Sequence, residues 1–134
     1  MNYVFDACAM IAYLRGEDGA DVVRQILRDP ANRCVAHAVN LCEVYYDFVR
    51  VSDVKTARAA IRDLAAVGIR ARRDISRSFW MAVGDLKGTI RKVSLADCFA
   101  IALSRGLEAR VLTSDHHEFD PLVSDRVCRV QFIR

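Results

Sequence analysis

The chain has 134 residues, 53% hydrophobic and 28% charged, a balance that suits one folded domain over residues 1–134 and excludes an intrinsically disordered chain. No apolar run approaches the roughly 18 residues of a membrane span, and the first residues lack the features of a secretion signal, so we expect a cytoplasmic protein. The net charge is a modest +3, and the five cysteines, odd in number and without a C-x-x-C pair, exclude a disulfide framework and a paired-cysteine zinc site.

The first half of the chain predicts two strands and four helices. Apolar runs over 3–5 and 34–36 have the aromatic or β-branched character of short buried strands. The predicted helices combine apolar residues at helical spacing with the usual start and stop residues. They cover 7–14, 19–28, a segment that opens at Asn40, and a segment from Ser52 to Gly68.

The second half predicts three strands and three helices. In chain order these are a weak strand over 69–71, a helix from Ile75 to Gly88, a helix from Ser94 to about Arg105, a strand over 111–113, a short turn of helix at 116–119 before Pro121, and a last edge strand over 127–132. Short apolar strands that alternate with helices indicate an α/β fold, with a parallel sheet covered on both faces. In such sheets ligands bind beyond the carboxyl ends of the strands.

Three aspartates interrupt the most apolar parts of the chain. Asp6 and Asp115 each follow a predicted buried strand, and Asp97 is the sole charged residue of the apolar segment 94–104. Desolvating a lone carboxylate costs several kcal/mol unless cations or hydrogen-bond donors compensate. Because the carboxyl ends of parallel strands meet at one edge of a sheet, the sequence predicts a shared site for a hard divalent cation, which prefers oxygen ligands.

Helix capping is the alternative explanation for each acid taken alone. Asp6 could cap the helix that follows it, Asp97 lies three residues after a serine that can cap its helix, and Asp115-x-x-Glu118 has a form related to a capping box. Capping does not explain why the acids follow strands, so we favour the shared site. Glu43 lies opposite the apolar stripe of its helix, where it could line a cleft or face water.

Positive charge is concentrated in one segment. Residues 70–92 hold seven basic and two acidic side chains, a net charge of +5, whereas the rest of the chain holds 13 basic and 15 acidic side chains, a net charge of −2. Seventeen of the 20 basic residues are arginines, and the arginine guanidinium suits bidentate contact with phosphate. The segment is either a solvated helix face or a surface that binds a polyanion.

Four segments resemble, in order and spacing, those of PIN-domain nucleases, and most closely those of the small VapC-type toxins of toxin–antitoxin pairs. The resemblance covers essentially the whole chain. It is carried by Val4–Asp6 running into 7–14, by Asn40–Val44, by Ser94–Asp97 and by Leu112–Asp115. It implies a three-layer α/β/α sandwich around a short, mostly parallel sheet of four to five strands.

The resemblance also implies a catalytic metal site. Asp6, Asp97 and Asp115 would be the main ligands of Mg²⁺ or Mn²⁺, and Glu43 would be a fourth acid that acts directly or through water. The family often has Ser or Thr at the position of Cys8. Because a thiol is a weak hydrogen-bond donor, the support of Asp6 differs in this chain.

Four further residues are candidates for contact with the substrate. Arg91 and Lys92, just before the helix that carries Asp97, would hold substrate phosphates. By the same resemblance, Thr113 and Ser114 would shape the loop that presents the last aspartate and lie beside the substrate. These assignments depend on the acid site being where the strand ends meet.

The activity implied is endonucleolytic cleavage of single-stranded or structured RNA by a metal-activated water, leaving a 5′-phosphate and a 3′-hydroxyl. Glu43 or Asp115 would orient the water, and the number of bound metals stays open. Two alternatives are a housekeeping RNA-processing nuclease without an antitoxin and a non-catalytic module that binds RNA or protein. The complete set of acids argues against the second, and an upstream reading frame for a DNA-binding protein would favour the toxin.

The toxin interpretation implies partners. The resemblance suggests a homodimer and a cognate antitoxin whose C-terminal segment enters the cleft. The candidate contacts are Tyr45-Tyr46 and Phe79-Trp80, although aromatic residues at helical spacing more often belong to a core. His116 and the histidine after it are expected to be surface residues beside the site, because adjacent histidines rarely share one ion.

Overall fold

Strands and helices alternate along the whole chain in the computed structural model, which describes residues 1–134. The five strands are β1 (Asn2–Phe5), β2 (Arg33–His37), β3 (Arg70–Arg72), β4 (Arg110–Thr113) and β5 (Val130–Phe132). The seven helices are α1 (Ala7–Arg15), α2 (Ala20–Arg28), α3 (Ala38–Val51), α4 (Val54–Ala66), α5 (Arg77–Thr89), α6 (Leu95–Gly106) and α7 (His116–Ser124). None of these helices combines the length and the apolar character that crossing a membrane requires.

The five strands form one parallel sheet in the order β3-β2-β1-β4-β5. The central strand β1 pairs with β2 on one side and β4 on the other, so that Val4 lies between Val35 and Val111. From β1 the chain builds one half of the sheet outward through β2 and β3, and it then returns to build the other half from β4. This reversal creates a crevice at the carboxyl ends of β1 and β4, where ligands bind in open α/β sheets.

Side chains alternate across the sheet and pack against helices on both faces. Phe5 and Leu112 belong to the core formed with α1, α2, α3 and α4. Their neighbours Val4 and Val111 point to the opposite face, which is covered by α5, α6 and α7. The predicted three-layer α/β/α sandwich is therefore confirmed, with five strands and a fully parallel sheet.

Two helices in the first half begin at other residues than predicted. α3 starts at Ala38 and not at Asn40, because His37 caps it: the His37 Nδ1 accepts a hydrogen bond from the amide two residues on at 3.1 Å. Asn40 is consequently an interior helix residue and completely buried. α4 is capped by Asp53 and not by Ser52, since the carboxylate reaches the third amide of the helix at 2.7 Å.

The C-terminal region departs most from the prediction. The expected turn of helix at 116–119 is only the start of α7, which continues through Pro121. The helix persists because Phe119 and Leu122 pack into the core beneath α5 and α6. The strand expected over 127–132 is shortened to β5, because the Val127 amide still donates a hydrogen bond to the Leu122 carbonyl of α7 at 2.8 Å. β5 lies at the edge of the sheet, as predicted.

Candidate metal centre

Asp6 lies where β1 ends and α1 begins, and only 1% of its surface is exposed. Its Oδ1 accepts a hydrogen bond from the Ala9 amide at 2.8 Å, which caps α1. Burial raises the pKa of Asp6 to about 7; the Thr113 hydroxyl and the Ala9 amide donate hydrogen bonds that lower it, and the charges of Glu43 and Asp115 raise it further. Asp6 thus caps a helix and shares a site with two other acids.

Three more carboxylates converge beside Asp6. One oxygen from each of Asp97, Asp115 and Glu118 lies within 4.8 Å of the others. Asp115 caps α7 by accepting a hydrogen bond from the Glu118 amide at 3.0 Å, and Ser94 caps α6 by accepting one from the Asp97 amide at 3.1 Å. Helix capping is therefore compatible with a shared acid site, because the caps fix the helix starts that bring these acids to one place.

Asp97 is buried against other acids, which disfavours its ionised form. Burial raises the pKa of Asp97 to about 9, and a hydrogen bond shared with Glu118 and the charges of Asp6 and Glu118 act in the same direction. Two carboxyl groups this close cannot both ionise cheaply unless positive charge is supplied. A cation bound beside Asp97 would favour its ionised form.

Glu43, on α3, lines this crevice and does not face water on the outside of the helix. Its Oε1 lies 3.4 Å from the Asn40 Nδ2, which also donates to the Ala96 carbonyl at 3.1 Å and so ties α3 to the start of α6. Burial and the charge of Glu118 raise the pKa of Glu43, against a hydrogen bond from Asn40 that lowers it. The neighbouring acid Asp47 pairs instead with an arginine of α1 at 2.7 Å.

Thr113, the last residue of β4, forms hydrogen bonds with two of the acids. Its Oγ1 accepts a hydrogen bond from the Asp115 amide at 3.0 Å, and its hydroxyl donates to the Asp6 carboxylate. Because Thr113 is completely buried, the expectation that it contacts substrate is corrected: it positions Asp6 and Asp115. Ser114 is partly exposed, and its contact with substrate stays a prediction.

Glu118 is the site residue that the sequence analysis did not select. Its place three residues after Asp115 suggested only a helix cap, although this spacing puts both side chains on one face of a helix. Glu118 Oε2 is buried and has no hydrogen-bond partner, which is costly for a carboxylate oxygen. An orphaned oxygen in a cluster made only of carboxylates fits a hard divalent cation such as Mg²⁺ or Mn²⁺.

Cys8 lies at the mouth of the crevice and stays a neutral thiol. Desolvation raises its pKa to about 12, and the charges of Asp6, Asp97, Asp115 and Glu43 raise it further. A protonated thiol is a poor metal ligand and a weak hydrogen-bond donor. The carboxylate oxygens are therefore the anionic groups at this position.

His116 and His37 contact other groups of the fold through both ring nitrogens. His116 Nδ1 lies 3.0 Å from an Asp120 carboxylate oxygen, its Nε2 lies 2.7 Å from the Arg134 carbonyl, and its ring stacks on Phe132. These contacts attach the C-terminus to α7 and leave neither ring nitrogen free for a metal. His37 is buried, caps α3 and contacts the backbone carbonyl of residue 74 at 2.9 Å.

Known proteins resemble this chain in sequence pattern and in fold. The PIN domain family model matches residues 3–121, and no curated protein matches the chain. The chain is similar to a chain of VapBC-1 from nontypeable Haemophilus influenzae, with 17% identity and a TM-score of 0.74 over 99% of this chain and 98% of that one. It is also similar to a chain of DNA-bound VapBC from Salmonella typhimurium, with 11% identity and a TM-score of 0.75 over 100% and 99%. VapC20 from Mycobacterium tuberculosis, a toxin that cleaves the sarcin–ricin loop, aligns with 13% identity and a TM-score of 0.68 over 89% and 94%.

The family match begins in β1 and ends in α7, and it therefore spans all five acids of the site. The chain belongs to the PIN-domain family, as the four sequence segments predicted. The VapC-type resemblance is confirmed at the level of the fold, which persists at identities of 11–17%.

Proposed function

We propose that this protein is a Mg²⁺- or Mn²⁺-dependent endoribonuclease that acts as the toxin of a toxin–antitoxin pair. The observation that carries the proposal is the convergence of Asp97, Asp115 and Glu118 beside the buried Asp6. A phosphodiester is anionic, so this cluster would repel it unless bound cations reversed the sign of the local charge. Membership of the PIN-domain family supports a nuclease, and the similarity to VapC20 favours RNA as the substrate.

Several acids would coordinate the cation. Asp6, Asp97, Asp115 and Glu118 would be its ligands, and Glu43 would act directly or through water. When bound, the cation supplies positive charge to the scissile phosphate and lowers the pKa of a water molecule. Asp6 and Asp115 are each fixed by a backbone amide and by Thr113, so their orientation is set before substrate arrives.

Hydrolysis requires a group that takes a proton from the attacking water. The water oxygen bonds to phosphorus, the bond from phosphorus to the 3′ oxygen breaks, and this oxygen takes a proton from bulk water, so the products are a 3′-hydroxyl and a 5′-phosphate. Asp115 already accepts a hydrogen bond from the Glu118 amide, whereas Glu43 has only a long contact with Asn40. Its raised pKa also moves Glu43 toward the range useful for a general base, so we assign it that role.

Cleavage of labelled RNA by the purified protein is expected to require a divalent cation. We expect cleavage in Mg²⁺ or Mn²⁺, its loss in EDTA and its return when Mn²⁺ is added in excess. The ends of the products provide the control, because a metal-independent contaminating ribonuclease leaves a 2′,3′-cyclic phosphate and not a 5′-phosphate. Cleavage that persists in EDTA would overturn the proposed mechanism.

Arg91 and Lys92 are expected to hold substrate phosphates. Both are exposed in the connection between α5 and α6, whose backbone is fixed by hydrogen bonds from the Lys87 Nζ to two carbonyls at 3.1 and 2.8 Å. Replacing both by alanine removes two cationic contacts, which should flatten the salt dependence of single-stranded RNA binding by about 1.4 in log–log slope. Lys55→Ala with Arg58→Ala, exposed on α4, is the matched control, and an unchanged slope in the first variant would remove both residues from the site.

The proposed partners are a cognate antitoxin, a second copy of the chain and RNA, in the cytoplasm. Each predicted aromatic pair has one member turned outward: Tyr46 is 48% exposed and Trp80 is 50% exposed. Their neighbours Tyr45 and Phe79 pack against the two cores. An exposed aromatic side chain of this size is typical of a contact with a partner, so Tyr46 and Trp80 are the members of the pairs that we assign to homodimer or antitoxin contact.

A further inference from the structure

Arginines lie at the amino ends of the strands, which is the end of the sheet opposite the acids. Arg33, Arg70 and Arg110 begin β2, β3 and β4, and Arg129 directly precedes β5. All four residues are exposed. Because the strands are parallel, their amino ends lie at the same end of the sheet, and the four arginines lie there too. Acids occupy one end of the sheet and arginines the other.

An open groove with a volume of about 630 Å³ lies at the amino ends of β4 and β5. We call it the basic groove. Its charged lining consists of Arg105, Arg110, Arg126, Arg129 and the single acid Glu108, four positive charges and one negative charge, hence a net of +3 from the lining. Apolar side chains and the backbone of the neighbouring turns complete its walls.

The arginines of the basic groove form no ion pairs within the chain. Arg105 lies in the last turn of α6, where the helix dipole favours a cation, and its Nε donates to the Val127 carbonyl at 2.7 Å. Arg105 therefore has a structural role within the chain. Arg110 begins β4 and Arg129 precedes β5, and neither side chain forms an ion pair, so their charge is available to an external anion.

We propose that the basic groove binds phosphates of the RNA substrate outside the segment that is cleaved; the inference rests on the proposed ribonuclease function. The planar arginine guanidinium matches phosphate bidentately. β4 has four residues, a length of about 13 Å, and it separates the groove from the acid cluster. An RNA that occupies both must extend well beyond the cleavage site and pass around the edge strand β5.

The test compares RNA of two lengths, in excess Mn²⁺, in protein that cleaves RNA about 100- to 1,000-fold more slowly than the wild type. Asp97→Asn serves as the background, and Arg110→Gln with Arg129→Gln removes two charges from the basic groove. For an RNA of about 30 nucleotides we expect roughly tenfold weaker binding at moderate salt and a salt slope lower by about 1.4. A trinucleotide, too short to leave the acid cluster, should bind equally well to both proteins.

Arg58→Gln with Arg62→Gln, exposed on α4, is the control for net charge. Equal losses in the two double variants, or no loss in the groove variant, would overturn the proposal, as would loss of binding to polyglutamate with RNA binding unchanged. If the double variant fails to fold, Arg129→Gln alone should lower the slope by about 0.7. Absence of RNA cleavage by the wild-type chain would refute the proposed function, while the binding comparison would still decide whether the groove takes phosphates.

Discussion

Replacing Asp97 by asparagine is expected to reduce metal-dependent RNA cleavage by about 100- to 1,000-fold, the range for removal of one electrostatic group from an active site. Asparagine keeps the size of the side chain and the hydrogen bond between the residue 97 amide and Ser94. It removes one anionic ligand from the three carboxylates that lie within 4.8 Å of one another. The measurements are the cleavage rate in Mn²⁺ and the Mn²⁺ affinity by calorimetry, and both should fall.

The matched control for this variant is Asp85→Asn. Asp85 is exposed on α5, and its carboxylate forms no ion pair or hydrogen bond. Its replacement should therefore leave cleavage and metal affinity unchanged. Far-ultraviolet circular dichroism verifies that both variants fold. Wild-type cleavage by Asp97→Asn would mean that the carboxylate cluster is not the catalytic centre.

Strand ends and apolar surroundings were sufficient to locate three of the acids. Asp6 and Asp115 follow β1 and β4, which the sheet order makes neighbours, and Asp97 could be selected because a lone charge in an apolar helix needs compensation. Glu43 could not be decided from its helix alone, since the side that lies opposite the apolar stripe is turned toward the crevice by the packing of α3 on α6.

Glu118 and the basic groove were not predicted, for different reasons. The spacing from Asp115 to Glu118 is that of a helix cap, and the cap does form, so nothing local distinguishes a ligand from a structural acid. The arginines of the groove are distributed over 105–129 and meet only through strand register. Sequence reasoning likewise ended α7 before Pro121, because the burial of Phe119 that sustains the helix is a tertiary effect.

The metal-free protein is expected to lose stability as the pH rises from about 4 to about 9. The pKa of Asp6 is raised to about 7 and that of Asp97 to about 9, so the folded state binds protons that the unfolded state has already released. The unfolding free energy therefore falls with pH through Asp6 up to about pH 7 and through Asp97 up to about pH 9. Urea titrations in EDTA at several pH values measure it.

Mn²⁺ and the Asp97→Asn variant separate the cluster from other titrating groups. His116, whose pKa is raised by hydrogen bonds to the Arg134 carbonyl and to Asp120, also loses stabilising charge as the pH rises, so the wild-type slope alone is not diagnostic. Asp97→Asn keeps His116 and should flatten the slope between about pH 7 and pH 9, where Asp97 is the cluster acid still titrating. At about 100 times its dissociation constant, Mn²⁺ should stabilise the wild-type protein at pH 8 by about 2.7 kcal/mol and the variant by much less. A wild-type stability that does not respond to Mn²⁺, with an equal slope in the variant, would mean that these carboxylates neither hold a shared proton nor bind a cation.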